Sequence, residues 1–501
     1  MALDPDTSYL ALKARDARFD GRLFVGVTST GIYCRPICRV RTPKRENCRF
    51  FETPAQAEAE DFRPCLKCRP EIAPGPGHAW SVMDASRTLA RQAGEAFDAL
   101  AFARSGDTPD VAALAARLGV SDRHLRRIFI AEHGVTPVQY LQTKRLLLAK
   151  QLLTDSRIPV TQVALASGFR SVRRFNAAFA ERYRLSPSQL RHDGAAPASA
   201  LNPQAGAVEL TLGYRPPLDE QSLLRFFEMR AVPGVETVDL ATASVRRTLR
   251  SGVLGEKASW IEARFIHERS QVRLRLAPAL AHCSASVARA TRRWLDLDAA
   301  PEVIDGALGE FPSRLGTRLP GALDGFELAV RAVLGQRITV AAARTLARRL
   351  VDRFGARVVT PWPELHRAFP SPKAIAKANA EHIGELGILR TQVAALQQLA
   401  AAWPEVEALA GASASMDQRA EALIAKLITL PGCGPWTAHY IAMRWLGWPD
   451  AFPPGDVAVL KALGLAHLGK GVRAEREAER RSQAWRPWRA YAVLRLWNAL
   501  N

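Results

Sequence analysis

Apolar positions along the chain change their period several times, and each change predicts a different kind of structure. Between residues 110 and 191 they recur at helical spacing in two copies of one pattern. The first copy holds Val111, Leu114 and Ala115, then Gly119 in a turn, Ser121 as an N-cap, and Leu125, Ile128 and Phe129. The second holds Val163-Ala164-Leu165-Ala166, then Gly168, Phe175 and Phe179, with one residue inserted after the glycine. Thr136-Pro137 closes the first copy and Ser186-Pro187 the second. Short helix, glycine turn and amphipathic helix predict two helix-turn-helix units. Further on, Val208 to Leu212 and Gln271 to Leu276 alternate polar with apolar residues, as half-buried strands do, while 222–231 and 284–295 read as helices. From Leu323 onward the pattern is almost wholly helical. No uncharged apolar run reaches the roughly 18 residues a membrane span needs.

Two breaks divide these patterns. Pro74-Gly75-Pro76-Gly77 ends the first block, and 194–207 (GAAPASALNPQAGA) carries no charge and is rich in Ala, Pro and Gly, as linkers are. The net charge of +20 is distributed unevenly between the blocks. Residues 1–70 hold 13 basic and 9 acidic residues, 81–192 hold 17 and 9, 208–312 hold 14 and 14, and 313–501 hold 25 and 15. Three basic blocks around a neutral one suggest a polyanion, although charge alone does not choose between DNA, RNA and anionic membrane. The first ten residues, MALDPDTSYL, have no apolar core of a secretion signal, so a reducing cytosol is expected.

Chemistry first appears in the cysteines. Five of seven lie between Cys34 and Cys68, and four make a pair of pairs, Cys34-x3-Cys38 and Cys65-x2-Cys68. This is metal-ligand spacing and points to one Zn²⁺ held by four thiolates, disulfides being the alternative. Cys48 is left over as a buried free thiol. Arg35, Arg39, Arg41, Lys44, Arg45 and Arg49 surround the pairs, with Glu46 the one acid among them, and cationic surroundings favour the nucleophilic thiolate.

The run Thr30-Gly31-Ile32-Tyr33-Cys34-Arg35-Pro36-Ile37-Cys38-Arg39, then Arg45-Glu46-Asn47, then Phe62-Arg63-Pro64-Cys65-Leu66-Lys67-Cys68, resembles the N-terminal domain of the Ada family of alkylation-response regulators. The resemblance implies that Cys34 accepts a methyl group from a methylphosphotriester in DNA, that Cys34, Cys38, Cys65 and Cys68 bind zinc, and that Thr30, Arg41 and Arg63 lie near the DNA backbone. Converting a thiolate to a thioether removes a negative charge from a face near phosphates and so strengthens DNA binding. Residues 85–192 resemble the AraC-type DNA-binding domain. Arg123, Arg126 and Arg127 flank one recognition helix, and Arg170, Ser171, Arg173, Arg174 and Asn176 the other.

In the C-terminal block, Leu430-Pro431-Gly432-Cys433-Gly434-Pro435-Trp436 describes a helix ending, a Pro-Gly-x-Gly hairpin and a new helix from Pro435. Gly432 and Gly434 would let backbone N–H groups approach a phosphate at a helix start. Twenty residues on, Pro453-Pro454-Gly455-Asp456 places an acid after a turn. Hairpin and acid together resemble the helix-hairpin-helix DNA glycosylases. Phe326-Glu327, Val330 to Gln336, Trp485 to Tyr491 and, in the neutral block, Tyr214-Arg215-Pro216-Pro217 and Gly306 to Gly309 extend the resemblance to the AlkA family of 3-methyladenine glycosylases over about 208–501. A damaged base must leave the stack and enter a pocket. The resemblance makes Phe226, Trp436, Tyr440 and Trp497 the pocket aromatics, whose faces suit cationic N-alkylpurines, and makes Asp456 the group that stabilises the oxocarbenium-like sugar or orients water while the base departs. Gln336 and Arg337 would touch DNA, Arg337 filling the gap left by the flipped base where the most similar family member has an apolar residue. Trp436 stands where strand-cutting relatives carry a Schiff-base Lys, which implies base excision without lyase chemistry. The Pro-Cys-His-Arg motif of O6-alkylguanine methyltransferases is missing from the sequence.

The expected architecture is multidomain α+β: a small zinc domain (1–78), an all-α double helix-turn-helix domain (79–193), a linker (194–207), a mixed α/β domain (208–320) and an all-α helix-hairpin-helix glycosylase domain (321–501). The expected function is an alkylation-damage response and repair protein that takes methyl groups on Cys34, regulates transcription when methylated, and hydrolyses the N-glycosidic bonds of alkylated bases. Double-stranded DNA, both promoter and alkylated, is the expected partner, with RNA polymerase during activation. The protein is expected to be a monomer without membrane attachment, cytoplasmic, bacterial in type and nucleoid-associated. The rival readings are a regulator with structural zinc and a non-catalytic glycosylase-like module, and a bifunctional glycosylase/lyase for oxidised bases.

Overall fold

One register brings the two cysteine pairs together. In the computed structural model, Ile32–Cys34 pairs in parallel with Arg63–Pro64, Tyr33 opposite Pro64, and Cys65 N–H donates to Tyr33 C=O at 3.0 Å. Cys34 and Cys65 thus stand side by side at the ends of neighbouring strands. These are half of a four-stranded sheet in the order Cys48–Phe51, Phe24–Val27, Ile32–Cys34, Arg63–Pro64. Side chains alternate across a strand. Ile32 and Cys34 therefore face the cysteine cluster, and Tyr33 faces Phe24, Phe51, Ala57 and Phe62 on the other side. The structure describes residues 4–75, 85–100, 111–156, 158–194, 207–250, 258–309, 311, 315–412, 414–465, 467 and 472–500.

The helical repeat forms as its apolar spacing predicts. Val111–Arg117 and Asp122–His133 are joined through Gly119 in the left-handed region, and Val160–Ala166 and Val172–Tyr183 through Gly168 likewise. Ser121 is the N-cap of Asp122–His133 and Ser171 that of Val172–Tyr183. Thr136-Pro137 does more than close the first copy: Thr136 makes a capping box that starts Pro137–Asp155, a 19-residue helix. Twelve of its residues are buried, which makes it the hub between the two copies.

Contacts divide the chain into two units, Met1–Pro216 with Ile266–Arg289, and Pro217–Phe265 with Ala290–Asn501. The division falls beyond the uncharged stretch, of which 195–206 lie outside the described residues. In the first unit the strand Val208–Gly213 is bonded along its length to Gln271–Leu276. It is also held to the hub helix, where Gln151 Nε2 donates to Thr211 C=O at 2.8 Å and Thr211 N–H to Asp155 Oδ2 at 3.0 Å. Those bonds keep 208–216 and 266–289 with the N-terminal half.

Within that unit the cysteine-rich module shares a buried polar seam with the hub helix and with Val172–Tyr183 of the second helix-turn-helix. Glu58 accepts from the Tyr33 hydroxyl (3.1 Å) and the Thr143 hydroxyl (3.0 Å), and its backbone C=O accepts from Arg182. Lys150 Nζ donates to Glu71 Oε2 at 2.6 Å, and Arg69 bridges Glu71 and Asp155. Glu58 and Lys150 are buried, so each depends on its partner for solvation.

In the second unit, Glu236–Asp239, Ser244–Leu249 and Ser259–Ile266 form an antiparallel meander. The remainder is helical around one large core that includes Phe326, Leu350, Leu396, Trp403, Leu423 and Ile441. Met416–Ile428, the turn through Gly432, and Pro435–Ile441 make the expected hairpin. The second helix continues as one π-turn, Ala442–Leu446, ending at Gly447.

Candidate functional site

The Sγ atoms of Cys34, Cys38, Cys65 and Cys68 lie within 4.8 Å of one another. An all-thiolate set at this spacing fits one Zn²⁺ in tetrahedral coordination. Without a cation, hydrogen bonds to Cys38 and Cys65, then burial, push the Cys34 thiol well above its ordinary pKa. A divalent cation reverses that preference, which is the usual reason four thiols are packed so closely. Arg35, next to Cys34 in sequence, braces the cluster: its guanidinium pairs with Asp20 and donates to Cys68 C=O, and its N–H donates to Cys68 Sγ at 3.3 Å. Thr30 and Arg41 are exposed and Arg63 is half-buried on this module. Cys48 is a buried free thiol, as expected.

On the recognition helices, Arg123, Arg126, Arg127, Arg170, Arg173, Arg174 and Asn176 are all exposed. Arg126 is partly engaged by Asp122 (2.9 Å), and Arg127 by His124 (3.0 Å). The apolar residues of the same helices, Leu125, Phe129, Phe175 and Phe179, are buried, so the basic faces are the outward ones.

The second centre gathers around Asp456, which is 8 % exposed. Its Oδ2 accepts the Trp436 indole N–H at 2.8 Å. Its Oδ1 accepts the Trp497 indole N–H at 3.0 Å and the Val459 N–H at 2.9 Å, the last making Asp456 the N-cap of Val457–Ala462. The helix-cap reading and the catalytic reading of this acid therefore coincide in one geometry. Trp436, Tyr440 and Arg444 follow at four-residue spacing, one face of a helix. Trp436 and Tyr440 stack with centroids 5.0 Å apart and planes 11° apart, and Trp497 lies 6.3 Å from Tyr440.

Phe226 reaches the same place from the helix Glu220–Arg230, but its face is already covered. The Arg230 guanidinium carbon sits 3.7 Å from its ring centroid and that of Arg444 4.8 Å away. Arg444 is fixed by Pro320 C=O (2.7 Å), Gly321 C=O (3.0 Å) and the Tyr440 hydroxyl (2.8 Å). Burial alone would raise the Tyr440 phenol, yet Arg444 and Arg230 outweigh it and hold the group below its ordinary value. Neither arginine was singled out by the sequence reading. The signal was present, since each stands four residues after an aromatic expected in the base pocket: Phe226 with Arg230, and Tyr440 with Arg444.

At the hairpin, Gly432 has φ +76°, and a Cβ there would lie 2.6 Å from Ala395 Cβ. A Cβ at Gly434 would meet nothing within 4 Å. Gln336, expected to touch DNA, donates to Gly432 C=O (2.6 Å) and to Thr437 Oγ1 (3.1 Å), and so braces the hairpin. Arg337 is exposed and holds φ +60°, a conformation rare for a side chain with a Cβ.

Four family models match the chain in order: the metal binding domain of Ada over 7–71, a helix-turn-helix domain over 114–193, the AlkA N-terminal domain over 209–324, and the HhH-GPD superfamily of base excision DNA repair proteins over 330–488. A Mycobacterium tuberculosis protein named probable bifunctional transcriptional activator/DNA repair enzyme AlkA is 36% identical over 99% of this chain and 97% of its own length. DNA-3-methyladenine glycosylase 2 of Escherichia coli is 35% identical over 57% of this chain and 96% of its own length. The bifunctional transcriptional activator/DNA repair enzyme Ada of Escherichia coli is 31% identical over 38% of this chain and half of its own length.

Proposed function

Given that the chain belongs to the family of the bifunctional transcriptional activator/DNA repair enzyme AlkA, we propose that it senses methylated DNA through Cys34, regulates transcription through its paired helix-turn-helix units, and excises alkylated bases around Asp456. Five segments divide this work: 1–78 for methyl acceptance, 79–193 for DNA reading, 194–207 as linker, 208–320 as support, and 321–501 for excision.

In the first reaction, Cys34 Sγ attacks the methyl carbon of a phosphotriester. The S–C bond forms as the C–O bond breaks, and the electron pair leaves on a phosphodiester anion. Bound zinc would keep the four thiols ionised. The product thioether does not revert, so each chain transfers one methyl, a stoichiometric repair. Loss of a negative charge from the cysteine set strengthens the grip on phosphate, and that gain is the regulatory signal. RNA polymerase is the partner this regulation requires. The exposed arginines of Asp122–His133 and Val172–Tyr183 suit them to successive major grooves.

In the second reaction a flipped base enters beside Trp436 and Tyr440. As the glycosidic bond lengthens, positive charge grows on the sugar, and the buried Asp456 carboxylate, held by three N–H donors, meets it without reorganising. Water completes the hydrolysis. Phe226, Trp436, Tyr440, Asp456 and Trp497 supply no amine for a Schiff base, which supports monofunctional excision. Single DNA-facing modules in series suit a monomer acting at the nucleoid in the cytoplasm. Among the described residues no helix is long and apolar enough to cross a membrane.

The observation that carries the excision reading is the double indole clasp on Asp456 beside stacked aromatics. Duplexes containing 3-methyladenine or an oxidised base test it. Release of the alkylated base without a borohydride-trappable adduct is expected. Absence of release would favour the purely regulatory reading, and a trapped adduct the lyase reading.

A further inference from the structure

The turn that follows the helix Gly325–Leu334 is held from inside by one side chain. Gln336 reaches across 96 residues of sequence to the hairpin, where its Nε2 donates to Gly432 C=O at 2.6 Å. It also reaches 101 residues to the first turn of Pro435–Ile441, where it donates to Thr437 Oγ1 at 3.1 Å. A carbonyl only accepts, so the amide nitrogen is the end that faces the hairpin. Thr437 is buried and follows Trp436, whose indole holds Asp456. The turn is tied on both flanks as well. Gln392 Nε2 donates to Val333 C=O at 3.0 Å, and Thr339 caps Val340–Phe354 by accepting the Ala342 N–H at 3.2 Å. Between these ties stands Arg337, exposed, at φ +60°, and with no carboxylate partner among the described residues. A residue with a Cβ keeps a left-handed backbone only where its surroundings fix it. An exposed cation on a fixed turn, the glycine hairpin, and the start of the helix bearing Trp436 and Tyr440 therefore share one carboxamide.

We propose that Gln336 is a positioning residue for base excision, fixing Arg337 against the hairpin and the pocket helix so that the grip on phosphate and the displacement of the base occur in one geometry. Extruding a base costs its stacking. A group that enters the vacated space helps only if it does not recoil when the stack pushes back. Arg337 by itself resists poorly, because its side chain is flexible and its backbone conformation is unfavourable. The two bonds from Gln336 pass that force to the hairpin, which is closely packed in its turn, since a Cβ at Gly432 would lie 2.6 Å from Ala395 Cβ. The sequence reading gave Gln336 a contact with DNA. Its amide nitrogen is instead spent on the protein, and its effect on DNA runs through Arg337. The inference rests on the base-excision reading.

The test uses the full chain, an undamaged duplex to measure grip and a 3-methyladenine duplex to measure release. Gln336→Met keeps the length of the side chain and removes both donors. Its affinity for the undamaged duplex should stay within about threefold of wild type, because the phosphate contacts remain. Single-turnover release at saturating protein should fall by about tenfold or more. Arg337→Ala should lower release as well. Adding Gln336→Met to it should cost less than about threefold further, because the brace acts through Arg337. Thr437→Val, which deletes one of the two acceptors, should slow release by a smaller factor without loss of grip. Melting curves identify the variants that are folded at the assay temperature, and Thr437→Val carries the test if Gln336→Met is not among them. Three results overturn the proposal: wild-type release in the folded variants, a loss of grip that matches the loss of release, or full multiplication of the two effects in the double variant. Absence of release by the wild type overturns the base-excision reading itself, and this inference with it.

Discussion

Trp436 and Asp456, twenty residues apart in sequence, are joined by an indole N–H that donates to Oδ2 at 2.8 Å. The other carboxylate oxygen caps the following helix through the Val459 N–H. The same acid therefore caps a helix and holds two indoles, and its proposed role in excision separates from that structural one under one substitution.

Asp456→Asn performs that separation. Asn keeps the cap to Val459 through its one oxygen, but its amide nitrogen meets the Trp436 indole N–H in place of an acceptor, so the melting temperature should fall by about 3–6 °C. The negative charge is lost, and single-turnover release of 3-methyladenine should fall by about 100-fold or more. A variant that stays folded at the assay temperature and still releases the base at the wild-type rate would remove Asp456 from the mechanism.

Cys34→Ala removes the proposed methyl acceptor and leaves three cysteines of the metal-binding set. Labelled methyl should no longer transfer from a methylphosphotriester duplex. Wild-type protein should contain one zinc per chain, and the variant should surrender its zinc to a chelator about tenfold faster or more, since a ligand has been lost. Transfer at the wild-type level would place the nucleophile elsewhere. Retained zinc alongside abolished transfer would separate the chemical role of Cys34 from the structural role of the set.

Much of this arrangement was legible in the chain because the signals were local. The spacing Cys34-x3-Cys38 and Cys65-x2-Cys68 is short-range chelation, and Gly119, Gly168 and Gly432 mark turns that demand positive φ. Sequence could not show that Tyr33 pairs with Pro64, although that register brings the halves of the cysteine set together. Nor could it show that Val208–Gly213 binds the helix Pro137–Asp155, so the division of the chain beyond 194–207 was hidden. Arg230 was overlooked for a related reason. A basic residue at the end of a helix reads as a solvated end, and only the packing of Glu220–Arg230 against Tyr440 and Arg444 turns it into a pocket residue.

The polar seam between the cysteine-rich module and the helices Pro137–Asp155 and Val172–Tyr183 should respond to pH with two opposite signs. Burial raises Glu58 from 4.5 to about 7, against the opposing pull of Arg182, Thr143, Tyr33 and Lys150. Its folded pKa lies above its unfolded one, so its stabilising contribution is full below about pH 4.5 and is lost as pH rises through about 7. Glu71 is also raised by burial, but Lys150 and Arg69 outweigh that and hold it below its ordinary value. Its contribution is full above its unfolded pKa and is lost as pH falls. From about pH 5 to about pH 8, Glu58→Gln should gain stability relative to wild type, by of order 1–3 kcal/mol. Glu71→Gln should lose relative stability, or hold it, over the same interval. Thermal melts of the three proteins check this, and equal pH trends for both variants would refute the assignment.

The hairpin glycines allow the cleanest division between fold and DNA contact. Gly432 sits at φ +76°, and a Cβ there would press to 2.6 Å on Ala395, a buried residue of the helix Arg390–Ala410. Gly432→Ala should therefore cost about 1–3 kcal/mol in unfolding free energy, from left-handed strain and the clash together. Any loss of DNA affinity in that variant mixes with loss of structure. Gly434 has φ −71° and open space around its Cβ position. Gly434→Ala should cost no more than about 1 kcal/mol, the difference between these residues at an N-cap. If the backbone at this turn approaches a phosphate as closely as glycine permits, the added methyl meets the DNA instead of the protein. Gly434→Ala should then weaken binding to an abasic-site duplex by about fivefold or more while melting like wild type. It should also flatten the salt dependence, because a lost phosphate contact lowers the number of counterions released. Unaltered affinity and salt slope in a stably folded Gly434→Ala would mean that the hairpin turn does not touch the backbone, leaving the grip on DNA to Arg337 and the basic surface around it.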